Sequence, residues 1–198
     1  MLTKKKSILL LVRSSSGELD WILPVLFKLS KQYNIYTYFR SSSAYNSLKT
    51  NNELFSIWKK INKNYFIDNF YNNFFWKIIR KLLIYFFVNK NCLIINFLNN
   101  KIHDFSYLKK KFFKKNSDKI FFKFVFSEYG YPNSWIDSLK INKEKTLVVH
   151  YPHTPITTFF KKAQSAHYQL KGDLLLINEK ADIKAWSKFI SKKKIKAL

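Results

Sequence analysis

The segment VVHYPHTP holds the most specific chemistry in the chain. His150 and His153 stand three residues apart, and Pro152 and Pro155 fix the backbone around them. Imidazole is the side chain best suited to accept a hydroxyl proton near neutral pH, so His153 is the candidate general base. His150 and Thr154 are candidate substrate contacts beside it. The competing reading makes both histidines ordinary loop or hydrogen-bonding groups. A metal site is not expected. The two imidazoles lack the i, i+4 relation of a helical pair, and Cys92 and Glu128 are unproven further ligands.

Glu128 follows the apolar run FFKFVFS and precedes Tyr129 and Gly130. A carboxylate there could act as a base, hold a histidine in place, or be a solvated loop acid. With only 12 acidic residues in the chain, one at the end of an apolar run carries added weight. The loop RSSSGELD offers a second candidate region. Ser15, Ser16, Gly17 and Glu18 could line a cleft, because the start of a helix attracts anions through its unpaired N–H groups. In the alternative, Glu18 and Asp20 cap that helix themselves. The chain has only Gly17, Gly130 and Gly172, which excludes both the GxGxxG and the P-loop patterns. No cofactor is therefore expected.

These residues need elements to position them. Residues 7–12 (SILLLV) form a continuous apolar run, as expected of a strand buried on both faces of a parallel sheet. The segment WILPVLFKLSKQ has Trp21, Val25, Leu26 and Leu29 at helical spacing, with Pro24 tolerable in a first turn. Residues 34–39 (NIYTYF) close a β-α-β unit. Residues 43–64 are weakly helical, and 65–68 read as a short strand. Residues 70–88 give the strongest helical pattern, 93–97 (LIINF) a further strand, and 109–115 the basic end of a helix. Strands are again expected over 120–126, 146–149 and 174–177, a short amphipathic helix over 182–190, and one more strand from 194. This alternation predicts an open, Rossmann-like α/β fold: one parallel sheet with helices on both faces, forming a single domain over 1–198. Ligands of such sheets bind beyond the carboxyl ends of the strands, where five polar clusters fall: 13–18, 40–43, 127–130, 150–153 and 178–179.

Composition bounds the function. In 198 residues, 47% hydrophobic content excludes a disordered chain, and a single cysteine excludes a disulfide framework. The apolar run near the start is too short for a secretory signal, so a cytoplasmic protein is expected. The net charge of +24 and a pI near 10.0 invite a nucleic-acid reading. Lysine is spread over most of the chain, however, as a biased genome composition would spread it, whereas a binding footprint would concentrate it. Nucleic acid is accordingly not expected as a partner. An anionic membrane surface is, because Lys77, Arg80 and Lys81 form a cationic stripe on the very apolar segment 70–88. A core helix with a solvated basic face fits that pattern equally.

Taken together, the segments SSSGELDWILPVLFKL, VVHYPHTP and GDLLLINEKADIKAWSKF resemble the N-terminal domain of GT-B-type transferases. The resemblance is to CDP-glycerol glycerophosphotransferase-like and related surface-polysaccharide enzymes. It implies an acceptor-side domain, one half of a GT-B architecture, with His153 as base and Glu128 as its partner or an acceptor ligand. The expected partners are a lipid-linked or saccharide acceptor and a nucleotide-activated donor. The donor would be bound by a second domain or partner chain that these 198 residues do not include. The usual glycine after the histidine is replaced here by Thr154 and Pro155. The alternatives are a UDP-N-acetylglucosamine 2-epimerase-like enzyme and a non-catalytic basic module that binds membrane or nucleic acid.

Overall fold

The structure, a computed structural model, describes residues 6–13, 15–67, 122–128, 146–152, 170 and 172–197. The helices expected over 70–88 and near 109–115, and the strand over 93–97, lie outside these residues.

Among the described residues, seven strands form one open, all-parallel sheet: β1 (Lys6–Val12), β2 (Tyr33–Phe39), β3 (Asn62–Ile67), β4 (Phe122–Glu128), β5 (Leu147–Tyr151), β6 (Leu174–Ile177) and β7 (Ile195–Ala197). Their spatial order is β3-β2-β1-β4-β5-β6-β7. The chain runs outward from β1 through β2 to β3, then returns to the far side of β1 and runs outward again from β4 to β7. The strand order thus reverses between β1 and β4. That is where an open α/β sheet has its ligand crevice.

Between β1 and β2 lies α1 (Ile22–Leu29), and between β2 and β3 lie α2 (Ser42–Thr50) and α3 (Asn52–Ile61). Pro24 sits in the first turn of α1, where an intrahelical N–H bond is not required. The Ser41 hydroxyl accepts the Ala44 N–H at 3.2 Å to cap α2, and the Asn51 side chain accepts the Leu54 N–H at 3.1 Å to cap α3. These caps split the weakly helical stretch 43–64 into two helices.

Alternation along the strands builds a core on each face. Ile8, Leu10 and Val12 pack with Ile35, Phe39, Phe126, Val149, Tyr151 and Leu176 under the apolar sides of α1, α2 and α3. On the opposite face, Leu175 and Ile177 pack with Trp186 of α4 (Ile183–Trp186) and with Phe189, Ile190 and Ile195. Helical elements therefore cover both faces of a Rossmann-like sheet, as expected.

Two boundaries differ from expectation for clear reasons. The strand at 65–68 begins earlier, at Asn62, because it occupies the outer edge of the sheet, where Lys63 and Asn64 stand in solvent without weakening it. The helix expected over 182–190 is only a 3-10 turn at Lys180–Asp182 followed by the single turn of α4. Beyond Trp186 the Lys188 and Phe189 N–H groups reach back only three residues, to the Ala185 and Trp186 carbonyls at 3.4 and 2.9 Å, so the α-helix gives way to tight turns, and the Leu170 N–H docks on the Phe189 carbonyl at 2.8 Å.

Candidate active site at the carboxyl end of the sheet

Because all strands are parallel, the polar segments that follow them share one edge of the sheet. At its centre, the loop after β1 folds back on its own strand. Residues Ser16–Glu18 form a 3-10 turn, and the Arg13 N–H donates to Glu18 Oε2 at 2.7 Å. Glu18 is fully buried by this contact. It does not cap α1, whose N-cap position is Trp21 without a side-chain bond. Asp20 accepts the adjacent Trp21 N–H at 2.9 Å and stays exposed. The carboxylate read as a helix cap is instead turned inward.

Glu128 is the last residue of β4, part of the strand and not of the loop beyond it, and it is 3% exposed. It pairs in register with Tyr151, the last residue of β5. Register partners on parallel strands share a face, so both lie on the side covered by α1. The Tyr151 ring is wholly buried there, edge-on to Trp21 with ring centroids 5.3 Å apart. Burial, and then the charges of Glu18, Glu128 and Asp20, push its phenol well above the usual 10.0. The phenol is therefore protonated at any physiological pH. Its oxygen is buried with no hydrogen-bond partner among the described residues. Two buried carboxylates and a protonated phenol thus converge where the strand order reverses, on a molecule otherwise dominated by positive charge.

His150 belongs to the other face. It pairs in register with Ser127, and its Nδ1 stands 3.3 Å from the Ser127 carbonyl oxygen, which holds the proton of a neutral ring on Nδ1. Gly172 packs against this ring. A Cβ at Gly172 would lie 2.9 Å from His150 Nε2 and closer still to Cδ2, so no larger residue fits there without movement. His150 is 1% exposed and separated from Glu128 by the thickness of the sheet.

The serines take a third position. The Ser16 N–H donates to Ser47 Oγ at 3.1 Å and the two hydroxyls are 3.2 Å apart, which ties the first loop to α2. Ser15 and Gly17 are half-buried beside it. A Cβ at Gly17 would meet only Ser15 Oγ at an ordinary 3.6 Å, so close packing does not demand glycine there. The fold therefore gathers Ser15, Ser16, Gly17, Glu18 and Glu128 at one end of the sheet and turns His150 to the opposite face. His153 and Thr154 lie outside the described residues.

Sequence reasoning missed Tyr151. It stands between the two histidines, and the available signal is strand alternation: in LVVHY, whichever face takes Val149 must take Tyr151 and reject His150. Among the described residues no three His, Cys, Asp or Glu side chains group to hold a metal ion, and no helix is long and apolar enough to cross a membrane. Comparison with protein-family models, with curated proteins and with solved structures gave no match.

Proposed function

We propose that this domain is the acceptor side of a GT-B-like glycosyl or glycerophosphate transferase in cell-surface polysaccharide synthesis. The observation that supports this reading is the convergence of Glu18, Glu128 and the protonated Tyr151 at the crossover of the sheet. Carboxylates accept hydrogen bonds from sugar or polyol hydroxyls, and a neutral phenol donates one to a sugar oxygen. A transferase acceptor must be held by such groups with its attacking hydroxyl near a base. In this reading His153, two residues beyond β5 in the chain, is the general base, and Glu128 is its partner or binds the acceptor. Ser15, Ser16 and Gly17 line the entrance. The nucleotide-activated donor is bound by another domain or chain, and the basic surface keeps the protein near an anionic membrane carrying a lipid-linked acceptor.

The test is turnover with nucleotide-activated donors, CDP-glycerol first, in the presence of polyol-phosphate or saccharide acceptors on membranes. His153→Ala is expected to lower turnover by about 10²–10⁴-fold. Glu128→Gln is expected to weaken acceptor binding by roughly 10- to 100-fold, the range for a lost charge-assisted hydrogen bond. Full turnover in His153→Ala removes the base, and unchanged acceptor binding in Glu128→Gln removes the crevice. Consumption of a UDP-sugar without any acceptor would move the reading to epimerase chemistry.

A further inference from the structure

We propose that the indole N–H of Trp21 and the phenol O–H of Tyr151 are a pair of donors for one neutral hydroxyl of the bound acceptor, which makes Trp21 a specificity-determining residue of the crevice. That the hydroxyl belongs to a transferase acceptor rests on the function proposed above, whereas the donor pair rests on the two side chains.

Buried polar atoms are almost always hydrogen-bonded, because one left without a partner forfeits the bonds it makes with water. Trp21 Nε1 and Tyr151 Oη are both buried with no partner among the described residues. They are not scattered. The two rings meet edge-on with centroids 5.3 Å apart, so both unmet donors lie in one small volume. Different elements deliver them. Trp21 stands at the N-cap of α1, just beyond the turn at Ser16–Glu18, and Tyr151 ends β5. Phenylalanine is the commonest aromatic of this chain, with 20 Phe against 12 Tyr and 5 Trp, and at Tyr151 it would fill the space without burying a polar atom. Filling space is therefore not what the phenol oxygen is for.

The surroundings decide which acceptor fits. An indole N–H can only donate, so the missing atom must accept hydrogen bonds, and an ammonium group cannot. Glu128 pairs in register with Tyr151, and Glu18 is buried three residues before Trp21, so the site carries negative charge. Those carboxylates repel a phosphoryl or carboxylate oxygen. A hydroxyl oxygen accepts two hydrogen bonds and is uncharged, which meets both conditions. Tyr151 is wholly buried and Trp21 half-buried, so the ligand reaches the phenol by way of the indole. A polyol or saccharide enters with its uncharged hydroxyls leading, and any phosphoryl group it carries stays outside.

The test is heteronuclear NMR titration of the whole chain with glycerol, N-acetylglucosamine and inorganic phosphate, in the wild type and in W21F, Y151F and Y65F. Circular dichroism checks that each variant is folded. The chain has five tryptophans, and the indole signal absent from W21F is that of Trp21. The expected result is a saturable shift of that signal with glycerol or N-acetylglucosamine and none with phosphate at equal concentration. The neutral probe that saturates first tells a polyol acceptor from a saccharide. W21F, read from its backbone amide signals, and Y151F should each weaken that binding by roughly tenfold, the loss expected for one hydrogen bond. Y65F removes an exposed hydroxyl on the edge strand β3 and should bind as the wild type does. Without ligand, Y151F should melt no lower than the wild type, because the hydroxyl it removes has no bond to lose. A Trp21 signal that neither neutral probe moves overturns the pairing, as does an equal shift with phosphate, full affinity in Y151F, or a Y151F Tm well below that of the wild type. If neutral-probe binding depends on both residues but no activated donor is turned over, the donor pair stands and the transferase reading falls. Transfer that persists in W21F and Y151F with unchanged KM for the acceptor keeps the transferase and removes the pair.

Discussion

Tyr151 is where burial and charge act together most strongly. Its phenol is enclosed by the sheet and Trp21 and faces the charges of two buried carboxylates. The folded-state value therefore lies above the ordinary 10.0, and desolvation is the larger cause. An acid held in its neutral form by folding contributes stability that is complete below its unfolded value and is lost as pH rises through the folded one. Wild-type Tm should thus fall with rising pH above about 10, and Tyr151→Phe should lose part of that slope. Phenolate absorbance should show one tyrosine ionising only on unfolding. Identical Tm profiles for the two proteins above pH 10 would show that the phenol is not shielded. Tyr45 behaves similarly in a different setting: its hydrogen-bonded partner Tyr65 raises it to about 12, with the hydroxyls 3.4 Å apart and the rings stacked.

At the scale of elements, the outer part of the sheet is held by a buried polar relay as well as by aromatic packing. The Trp58 Nε1–H on α3 donates to Thr37 Oγ1 at 2.9 Å, and the Thr37 hydroxyl donates to Asn62 Oδ1 at 2.7 Å. The relay joins α3, the middle of β2 and the start of β3, within a ring cluster that includes Phe39, Tyr45 and Tyr65. Thr37→Val keeps the shape and removes the hydroxyl, which leaves a buried indole N–H without its acceptor. The expected cost is about 1–3 kcal/mol, read from the denaturant midpoint by circular dichroism. A loss below about 0.5 kcal/mol would mean that packing alone holds the edge of the sheet. Because α3 packs on α2, and Ser47 of α2 holds Ser16, loosening this corner should also loosen the loop after β1.

For the molecule as a whole, the net charge of +24 sets a standing repulsion against compaction. Raising KCl from about 0.01 M to about 0.15 M shortens the screening length from about 30 Å to about 8 Å. Tm should rise by a few degrees over that range, and sodium chloride should do the same at equal ionic strength. A flat response would mean that the positive charges lie too far apart to repel.

The sequence by itself determined the strands buried on both faces. SILLLV is a continuous apolar run, as expected of a strand in the interior of a parallel sheet, and NIYTYF and LLLI are rich in the β-branched, aromatic and aliphatic residues that strands favour. It also determined that polar residues would gather at one edge, since every strand in such a sheet points the same way. It left open where the polar edge strand begins and where the helix near Trp186 stops, because solvent exposure and the packing of Trp186, Phe189 and Ile190 against the sheet are not local properties. Only the tertiary structure decided which face each side chain takes. Adjacent residues alternate, so His150 and Tyr151 look equally available in the chain. The pairing of Glu128 with Tyr151 brings the phenol to the carboxylates and leaves the imidazole against Gly172.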